Sequence, residues 1–218
     1  MDRRSPKNAA GDRVYQTIKA SVIASAFPQG RRIYLQPLAD ALGVSTTPVR
    51  EALNRLAAED LVIKAPRKGF IAMSLSGENL RGYYELTRLL LAKELEGLDA
   101  AARRKLPEFE PIAGILYKLN RRVLSDANTL AAYTGKIFSH SASVGENAHV
   151  VRSIRRVNDY LYYIRTVECR HLANVQDELR LLCQLLLAGR CEELLQAVHG
   201  YHDKRIEMLA TLLDLASR

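Results

Sequence analysis

The chain has 218 residues, of which 48% are hydrophobic and 26% charged, a composition that is typical of a folded globular protein and excludes a largely disordered one. Its net charge of +8 and isoelectric point near 9.5 favour polyanionic partners, nucleic acid above all. The three cysteines lack C-x-x-C spacing and the apolar runs fall short of the roughly 20 residues of a membrane helix, so we expect no disulfide framework, zinc knuckle or membrane span, and a location in the reducing cytoplasm.

The positive charge is concentrated in the first third of the chain. Residues 1–75 hold twelve Lys or Arg and six Asp or Glu, and so carry six of the eight excess positive charges. This asymmetry predicts a basic N-terminal module followed by a nearly balanced one. We expect a flexible basic arm over residues 1–11, an N-terminal domain over residues 12–75 and a C-terminal domain over residues 76–218.

Two helices are predicted at the start of the N-terminal domain. Val14 and Ile18 belong to an apolar repeat of four residues, and Asp12 is a candidate N-cap for that helix. A Pro-x-Gly turn ends it. A short helix follows over residues 35–42, and Gly43 lies where a left-handed C-cap is expected.

A third helix is predicted to begin after Ser45. Its three hydroxyl residues offer an N-cap, and Pro48 suits a first helical turn. The apolar stripe that must face a core consists of Val49, Ala52, Leu53 and Leu56. Thr47, Arg50 and Asn54 lie away from that stripe. A helix whose outer N-terminal face carries small hydroxyls and an arginine is suited to the DNA major groove, and its N-terminus favours a nearby phosphate.

Two short β-type runs follow, at residues 61–64 and 69–72. The turn between them carries Arg67 and Lys68. Three helices followed by a basic hairpin are typical of a winged helix-turn-helix, with the hairpin as the wing. The alternative is an amphipathic helical hairpin and a solvated basic loop, which requires all these ordered features to coincide by chance.

The same residues resemble a known family. The sequence LADALGVSTTPVREAL at 38–53, with the following Arg-Leu, Leu-Val and Arg-x-Gly, is similar to the DNA-binding domain of GntR-family bacterial transcription regulators over residues 12–73. The resemblance implies a dimer on a short palindromic double-stranded DNA operator, with recognition helices in adjacent major grooves and wings near the minor groove. The DNA contacts that it implies are Gln36, Ser45, Thr46, Thr47, Arg50, Arg67, Lys68 and Gly69. The family often has Arg at position 46, a basic residue near position 36 and Gly at position 60, where this chain has Asp60, so one or two contacts and the start of the wing are expected to differ.

From Ser76 onward the sequence is almost entirely helical in pattern. Six amphipathic helices are predicted, over residues 77–98, 109–124, 127–145, 147–171, 175–188 and 190–217. The clearest apolar stripes consist of Val150, Ile154, Val157, Leu161 and Ile164, and of Leu194, Val198, Tyr201, Met208 and Leu212. The expected fold class is therefore mostly α: a winged helix-turn-helix of three helices and a β-hairpin, then an antiparallel helical bundle.

A helical domain in this position resembles the effector-binding domain of the FadR subgroup. In that subgroup the effector is usually a small carboxylate, often held by a metal bound to one Asp and three His. The corresponding positions here are Thr134, Phe138, Leu179 and Tyr201. Only the tyrosine is a metal ligand at all, and a weak one. A shift by one residue, which would bring in His140 or His202, turns a helical side chain by about 100°, so we expect no metal.

The C-terminal domain also contains candidate effector-binding residues, which are Arg88, Phe138, Tyr163, Arg165 and Tyr201. The two arginines are suited to neutralise an acidic effector. Tyrosine rings also pack at ordinary helix–helix contacts, and a cavity lined by tyrosine and aliphatic side chains would suit an apolar aromatic effector. His199 and His202 precede a charged run and are expected on a solvated helix face.

Three functions compete at this point. The first is a ligand-responsive transcriptional regulator, a repressor that binds its operator as a homodimer and its effector in the bundle. The second is a DNA-binding regulator whose bundle only dimerises. The third is an enzyme, but the sequence has no nucleophile–base pair, phosphate-binding glycine loop or metal constellation, so we expect no enzymatic activity.

Overall fold

The computed structural model describes residues 6–96, 110–121 and 126–217. The chain divides into two compact units between Leu75 and Ser76, which we call the N-terminal and C-terminal domains. None of the described helices combines the length and the apolar character needed to cross a membrane.

The N-terminal domain is a winged helix-turn-helix, as predicted. Its elements in chain order are α1 Pro6–Ile23, β1 Arg32–Ile33, α2 Leu35–Leu42, α3 Thr46–Ala58, β2 Val62–Ala65 and β3 Gly69–Ala72. The wing hairpin pairs Val62 with Ala72 and Ala65 with Gly69, and β1 adds a third antiparallel strand on the other side of β3. The sequence did not predict β1, because two residues are too few for an alternating pattern.

Helices α2 and α3 each end at a residue whose backbone is in the left-handed conformation. Gly43 has a φ of 64°, and the bond from Val44 N to Ala39 O closes the end of α2, as the sequence predicted. Asp60 adopts the same conformation at the end of α3, with a φ of 56°, and Leu61 N bonds to Leu56 O. Asp tolerates this conformation better than most residues. Helix α3 therefore ends in the left-handed conformation that glycine usually adopts, and the wing begins directly after it, although position 60 is Asp.

The beginning of α1 differs from the prediction. The helix begins at Pro6, so the prediction of a flexible arm over residues 1–11 is wrong from Pro6 onward. Residues 1–5 lie outside the described part of the chain. Proline suits a first helical turn, and the two alanines that follow favour helix. Asp12 is not an N-cap: it lies inside α1 and accepts a hydrogen bond from Arg55 Nη1 of α3 at 2.8 Å.

The C-terminal domain consists of helices in its described part. They are α4 Gly77–Glu96, α5 Glu110–Asn120, α6 Ala127–Ser143, α7 Ala148–His171, α8 Val175–Leu187, α9 Cys191–Glu207 and α10 Leu209–Ser217. Helix α6 packs along α7, α4 against α9, α5 against α8, and α10 against α7 and α4. Residues 97–109 and 122–125, which include parts of the first two predicted helices, lie outside the described residues.

The apolar stripes of this domain are buried as predicted, apart from the half-buried Met208. The side chain of Asn147 caps α7 by accepting from His149 N at 3.0 Å. The last predicted helix is in fact two, because the helical hydrogen bonds end at Met208 and resume in α10. No glycine or proline marks this break, so periodicity could not locate it.

Candidate nucleic-acid interface and buried polar cluster

Helix α3 presents one apolar and one polar face. Its buried residues are Val49, Ala52, Leu53 and Leu56, which confirms the predicted stripe. On the opposite side Ser45, Thr47 and Arg50 are exposed, and Thr46 is half-buried. The core therefore fixes which side chains the helix offers to a partner.

A groove of about 510 Å³ lies between α3 and the wing. Four cationic side chains line it, namely Arg32, Arg50, Lys64 and Arg67. Asn54 and Gly69 also line it, so α3 and the wing contribute to one basic surface. Arginine and lysine in such a groove can neutralise phosphates, and arginine can donate two hydrogen bonds to guanine.

A second groove of about 440 Å³ is lined on the wing side by Arg67 and Lys68, and by Arg31, Arg32 and Tyr34 around β1. Arg32 borders both grooves and was missed by the sequence reasoning. Its guanidinium lies 5.4 Å from the Tyr34 ring centre, and a Cβ at Gly69 would lie 3.6 Å from Arg32 Nε. The one feature of the sequence that could have indicated Arg32 is its position next to the apolar residue Ile33, which is buried in the structure.

The remaining predicted DNA-contact residues lie outside the linings of these two grooves. Ser45, Thr46 and Thr47 belong to the start of α3 and its cap. Gln36 donates from Nε2 to Asp40 Oδ1 at 2.8 Å within α2, so its amide already has a partner.

The C-terminal domain contains a buried polar cluster, which consists of Tyr84, Arg165, Glu168, Tyr201, His202 and Arg205. Each is less than 5% exposed. The carboxylate of Glu168 accepts from Tyr84 Oη, from Tyr201 Oη at 3.2 Å and from Arg205 Nε at 3.1 Å. Burial, and then the nearby negative charge of Glu168, raise the pKa of both tyrosines, so both remain hydrogen-bond donors.

Arg205 forms ion pairs with two carboxylates. Besides Glu168, its Nη2 lies 2.5 Å from Oε2 of the half-buried Glu178. Burial raises the pKa of Glu178, but the hydrogen bond and charge of Arg205, and then those of Lys204, outweigh it and hold that pKa below its usual value. Arg205 and Glu178 are therefore both charged, and their charges neutralise each other.

Arg165 is also buried, but it forms no ion pair with a carboxylate among the described residues. It is 1% exposed, and its Nη1 donates to the neutral amide oxygen Asn158 Oδ1 at 2.8 Å. Its Cζ lies 5.3 Å from the centre of the Phe138 ring. Nε and Nη2 have no hydrogen-bond partner among the described residues. A buried guanidinium without an anion costs several kcal/mol in principle, so an anion that bound here would stabilise the folded domain.

His202 is fully buried, which corrects the predicted solvated face. Its Nδ1 lies 2.7 Å from the carbonyl oxygen of Val198, and its ring packs against Phe138 with centres 5.0 Å apart. Its pKa is lowered to about 3, chiefly by burial and also by the charges of Arg165, Arg205 and Arg88, although the hydrogen bond to Val198 raises it. The ring is therefore neutral at pH 7.

The structure brings three of the five predicted effector residues together. Phe138 contacts both Arg165 and Tyr201, whose ring centre is 5.0 Å from its own. Arg88 forms an ion pair with Asp203, so its charge has a partner. The prediction is wrong for Tyr163, whose hydroxyl donates to Ala216 O of α10 at 3.2 Å. This side of α7 faces α10 and not the cluster.

The donor set at the four metal positions of the FadR subgroup does not fit a divalent cation. Thr134 is buried and donates to Leu130 O at 2.9 Å, and Phe138 and Leu179 carry no ligand atom. Tyr201 donates to Glu168. No group of three or more His, Cys, Asp or Glu that could hold a metal occurs within the described residues.

Comparison with known proteins shows a family match in the N-terminal domain. Residues 10–71 match the bacterial regulatory proteins of the gntR family. The chain is 25% identical over 189 residues to the Nta operon transcriptional regulator of Aminobacter aminovorans, which covers 84% of this chain and 88% of that protein.

Solved structures share the fold. A putative GntR transcriptional regulator from Rhodococcus sp. RHA1 superimposes with a TM-score of 0.72 at 20% identity, over 93% of this chain and 98% of the other. E. coli McbR/YncC gives 0.63 at 21% identity, over 93% and 97%. The family and the relatives are DNA-binding regulators and not enzymes. The protein is therefore a DNA-binding transcriptional regulator whose winged helix-turn-helix, in the first third of the chain, matches the gntR family.

Proposed function

We propose that this regulator is a cytoplasmic repressor of the FadR subgroup that senses a small carboxylate in its C-terminal domain. The single observation that carries the proposal is Arg165: its guanidinium is 1% exposed, and two of its nitrogens, Nε and Nη2, have no hydrogen-bond partner among the described residues. A carboxylate accepts two parallel hydrogen bonds from such a group. An apolar aromatic effector would leave the guanidinium uncompensated, so the acidic class is favoured.

The regulator acts as a homodimer on a palindromic operator. Each protomer places α3 in a major groove, with Arg50 at base edges and the wing cations Arg67 and Lys68 at phosphates. Effector binding changes the separation of the two recognition helices and so the operator affinity. Couplings of this kind are typically about 1–3 kcal/mol, or roughly 5–150-fold in affinity.

A face of α4 supports the dimer. Leu86 and Leu89 lie three residues apart on this helix, and they are 40% and 62% exposed in the single chain. A stripe of exposed leucines on one helix is typical of an interface. A two-fold dimer pairs such a stripe with its own copy.

The second candidate is a bundle that dimerises but senses nothing. The residues at the four metal positions, Thr134, Phe138, Leu179 and Tyr201, do not fit a metal. They favour this second candidate, because a domain that has lost its metal site can also have lost its effector site.

Thermal unfolding in the presence of a compound panel separates the two candidates. In a panel of small carboxylates, sugars and apolar aromatics, we expect at least one carboxylate to raise the melting temperature of the wild-type protein, and Arg165→Met to abolish that shift. Arg155→Met is the matched control, since Arg155 is exposed on the same helix. A protein that binds its operator but is shifted by no compound would support the dimerisation-only function.

A further inference from the structure

The buried polar cluster holds unpaired groups of two kinds. Two nitrogens of Arg165, Nε and Nη2, and one ring nitrogen of His202, Nε2, are buried without a hydrogen-bond partner among the described residues. Both side chains pack on the same ring, that of Phe138. Unpaired buried polar atoms are rare in folded proteins, so a pair of them around one ring calls for a common explanation.

The hydrogen bond at Nδ1 of His202 determines the tautomer of the ring. The carbonyl oxygen of Val198 can only accept a hydrogen bond, so Nδ1 carries the proton. In the neutral ring Nε2 is then a lone-pair acceptor. Arg165 offers only donors, and the carboxylate of Glu168 is already bonded to both tyrosines and to Arg205.

A metal ion would also bind to a lone pair on a histidine whose other nitrogen is fixed by a carbonyl. Arg165, which packs on the same Phe138 ring and has no ion-pair partner among the described residues, places a positive charge beside this lone pair. That charge disfavours a divalent cation and attracts an anion.

We propose that the effector is a small acid that carries a hydrogen-bond donor such as a hydroxyl group, bound without a metal, with its carboxylate on Arg165 and its donor on Nε2 of His202. This inference rests on the proposed function and names the ligand class of the same site. The guanidinium of Arg165 supplies the positive charge that the carboxylate needs. His202 is then the residue that distinguishes hydroxy acids from plain acids, because a plain acid leaves Nε2 unpaired.

Two matched series of probes test the specificity. The first is 2-hydroxybutyrate, butyrate and butane-1,2-diol, and the second is mandelate, phenylacetate and 1-phenylethane-1,2-diol. Calorimetric titration of the full-length protein in EDTA should show binding of a hydroxy acid at least tenfold tighter than its plain acid, and no binding of the diol. Equal affinity for the two acids would contradict the role of His202 and leave the proposed function standing. Binding that appears only after Zn²⁺ or Mn²⁺ is added would contradict metal independence, and no binding by either series would count against both proposals.

Three variants assign the specificity to the histidine. His202→Phe keeps a ring but removes the acceptor, so the preference for the hydroxy acid should fall below about twofold, in place of the tenfold that a matched hydrogen bond gives. His202→Gln returns an acceptor oxygen and should restore part of the preference. His199→Phe, one turn earlier on α9, should leave it unchanged. A preference that survives in His202→Phe would overturn the assignment.

A ligand-free measurement covers the case in which the variants fold poorly. If Arg165 is kept for a ligand, Arg165→Met removes an uncompensated buried charge, and the melting temperature of the ligand-free protein should rise. A lower melting temperature than wild type would show a structural role for Arg165 and contradict the inference.

Discussion

His202 Nδ1 is hydrogen-bonded to the carbonyl oxygen of Val198, one turn earlier on α9, at 2.7 Å. This bond fixes the ring and its tautomer, and burial, followed by the charges of three arginines, holds the pKa near 3. The imidazole therefore stays neutral well below the pH at which an exposed histidine becomes charged.

We expect the C-terminal domain to lose stability as the pH falls from about 6.5 to about 3. In the unfolded chain His202 binds a proton with a pKa near 6.5, whereas in the folded protein it does so only near 3. The unfolded state therefore binds more protons in this interval, and each pH unit costs about 1.4 kcal/mol. Between pH 6.5 and 5 the loss is roughly 2 kcal/mol, measurable by urea unfolding.

The variant His202→Gln should remove this part of the pH dependence, because it has no titrating ring. The difference between wild type and variant cancels the contributions of the carboxylates. His199→Gln, a control on the same helix, should keep the wild-type slope. Parallel curves for wild type and His202→Gln would show that His202 is not buried as a neutral ring.

Gly145 should not tolerate a side chain. A Cβ at this position would lie 2.8 Å from Cδ and 3.2 Å from Cβ of Glu94, which is 7% exposed and accepts from the Asn147 backbone N–H. Gly145→Ala should destabilise the C-terminal domain by about 1–3 kcal/mol, as overpacking does. Gly114→Ala is the control, since nothing lies within 4 Å of a Cβ there. Equal stability of the two variants would contradict this close approach.

Arg32→Ala should weaken binding to all DNA sequences by a similar factor. Arg32 lies between the two basic grooves on either side of the wing, where it can neutralise a phosphate but is carried by a strand and not by α3. The slope of log affinity against log salt should fall by about one. Fluorescence anisotropy with specific and random duplexes measures both quantities. An unchanged slope, equal to that of the control Arg155→Ala, would exclude Arg32 from the interface.

The α4 face should be required for dimerisation. The double variant Leu86→Glu and Leu89→Glu places charges on the exposed stripe and should shift the protein to monomers in analytical ultracentrifugation. Leu181→Glu, at a leucine of α8 that is 47% exposed, should not. A double variant that stays dimeric would place the interface elsewhere.

Much of the N-terminal domain could be predicted because its signals are local. The stripe from Val49 to Leu56 has helical periodicity, Gly43 marks a helix end, and the family motif runs through both. Strand β1 could not be predicted, because its two residues are ordered by pairing with β3 and not by a pattern of their own. Arg32 was missed for the same reason.

The polar cluster of the C-terminal domain could be predicted only in part. Phe138, Arg165 and Tyr201 were candidates by residue type and position. The burial of His202 was not foreseen, because the charged run after it looks solvated, and only the long-range partner Glu168 explains why Arg205 lies inside. Local sequence carries no information on a charge pair 37 residues apart.

Selection of DNA from a random library by the full-length protein tests the recognition surface most directly. The wild-type protein should enrich a palindrome whose half-sites lie about one helical turn, roughly 10 base pairs, apart. Arg50→Ala should bind DNA with salt-dependent affinity but enrich no such motif, because it keeps the wing cations and loses the contact to base edges. Enrichment of the same palindrome by Arg50→Ala, or of no palindrome by the wild type, would contradict the role of α3 and its arginine.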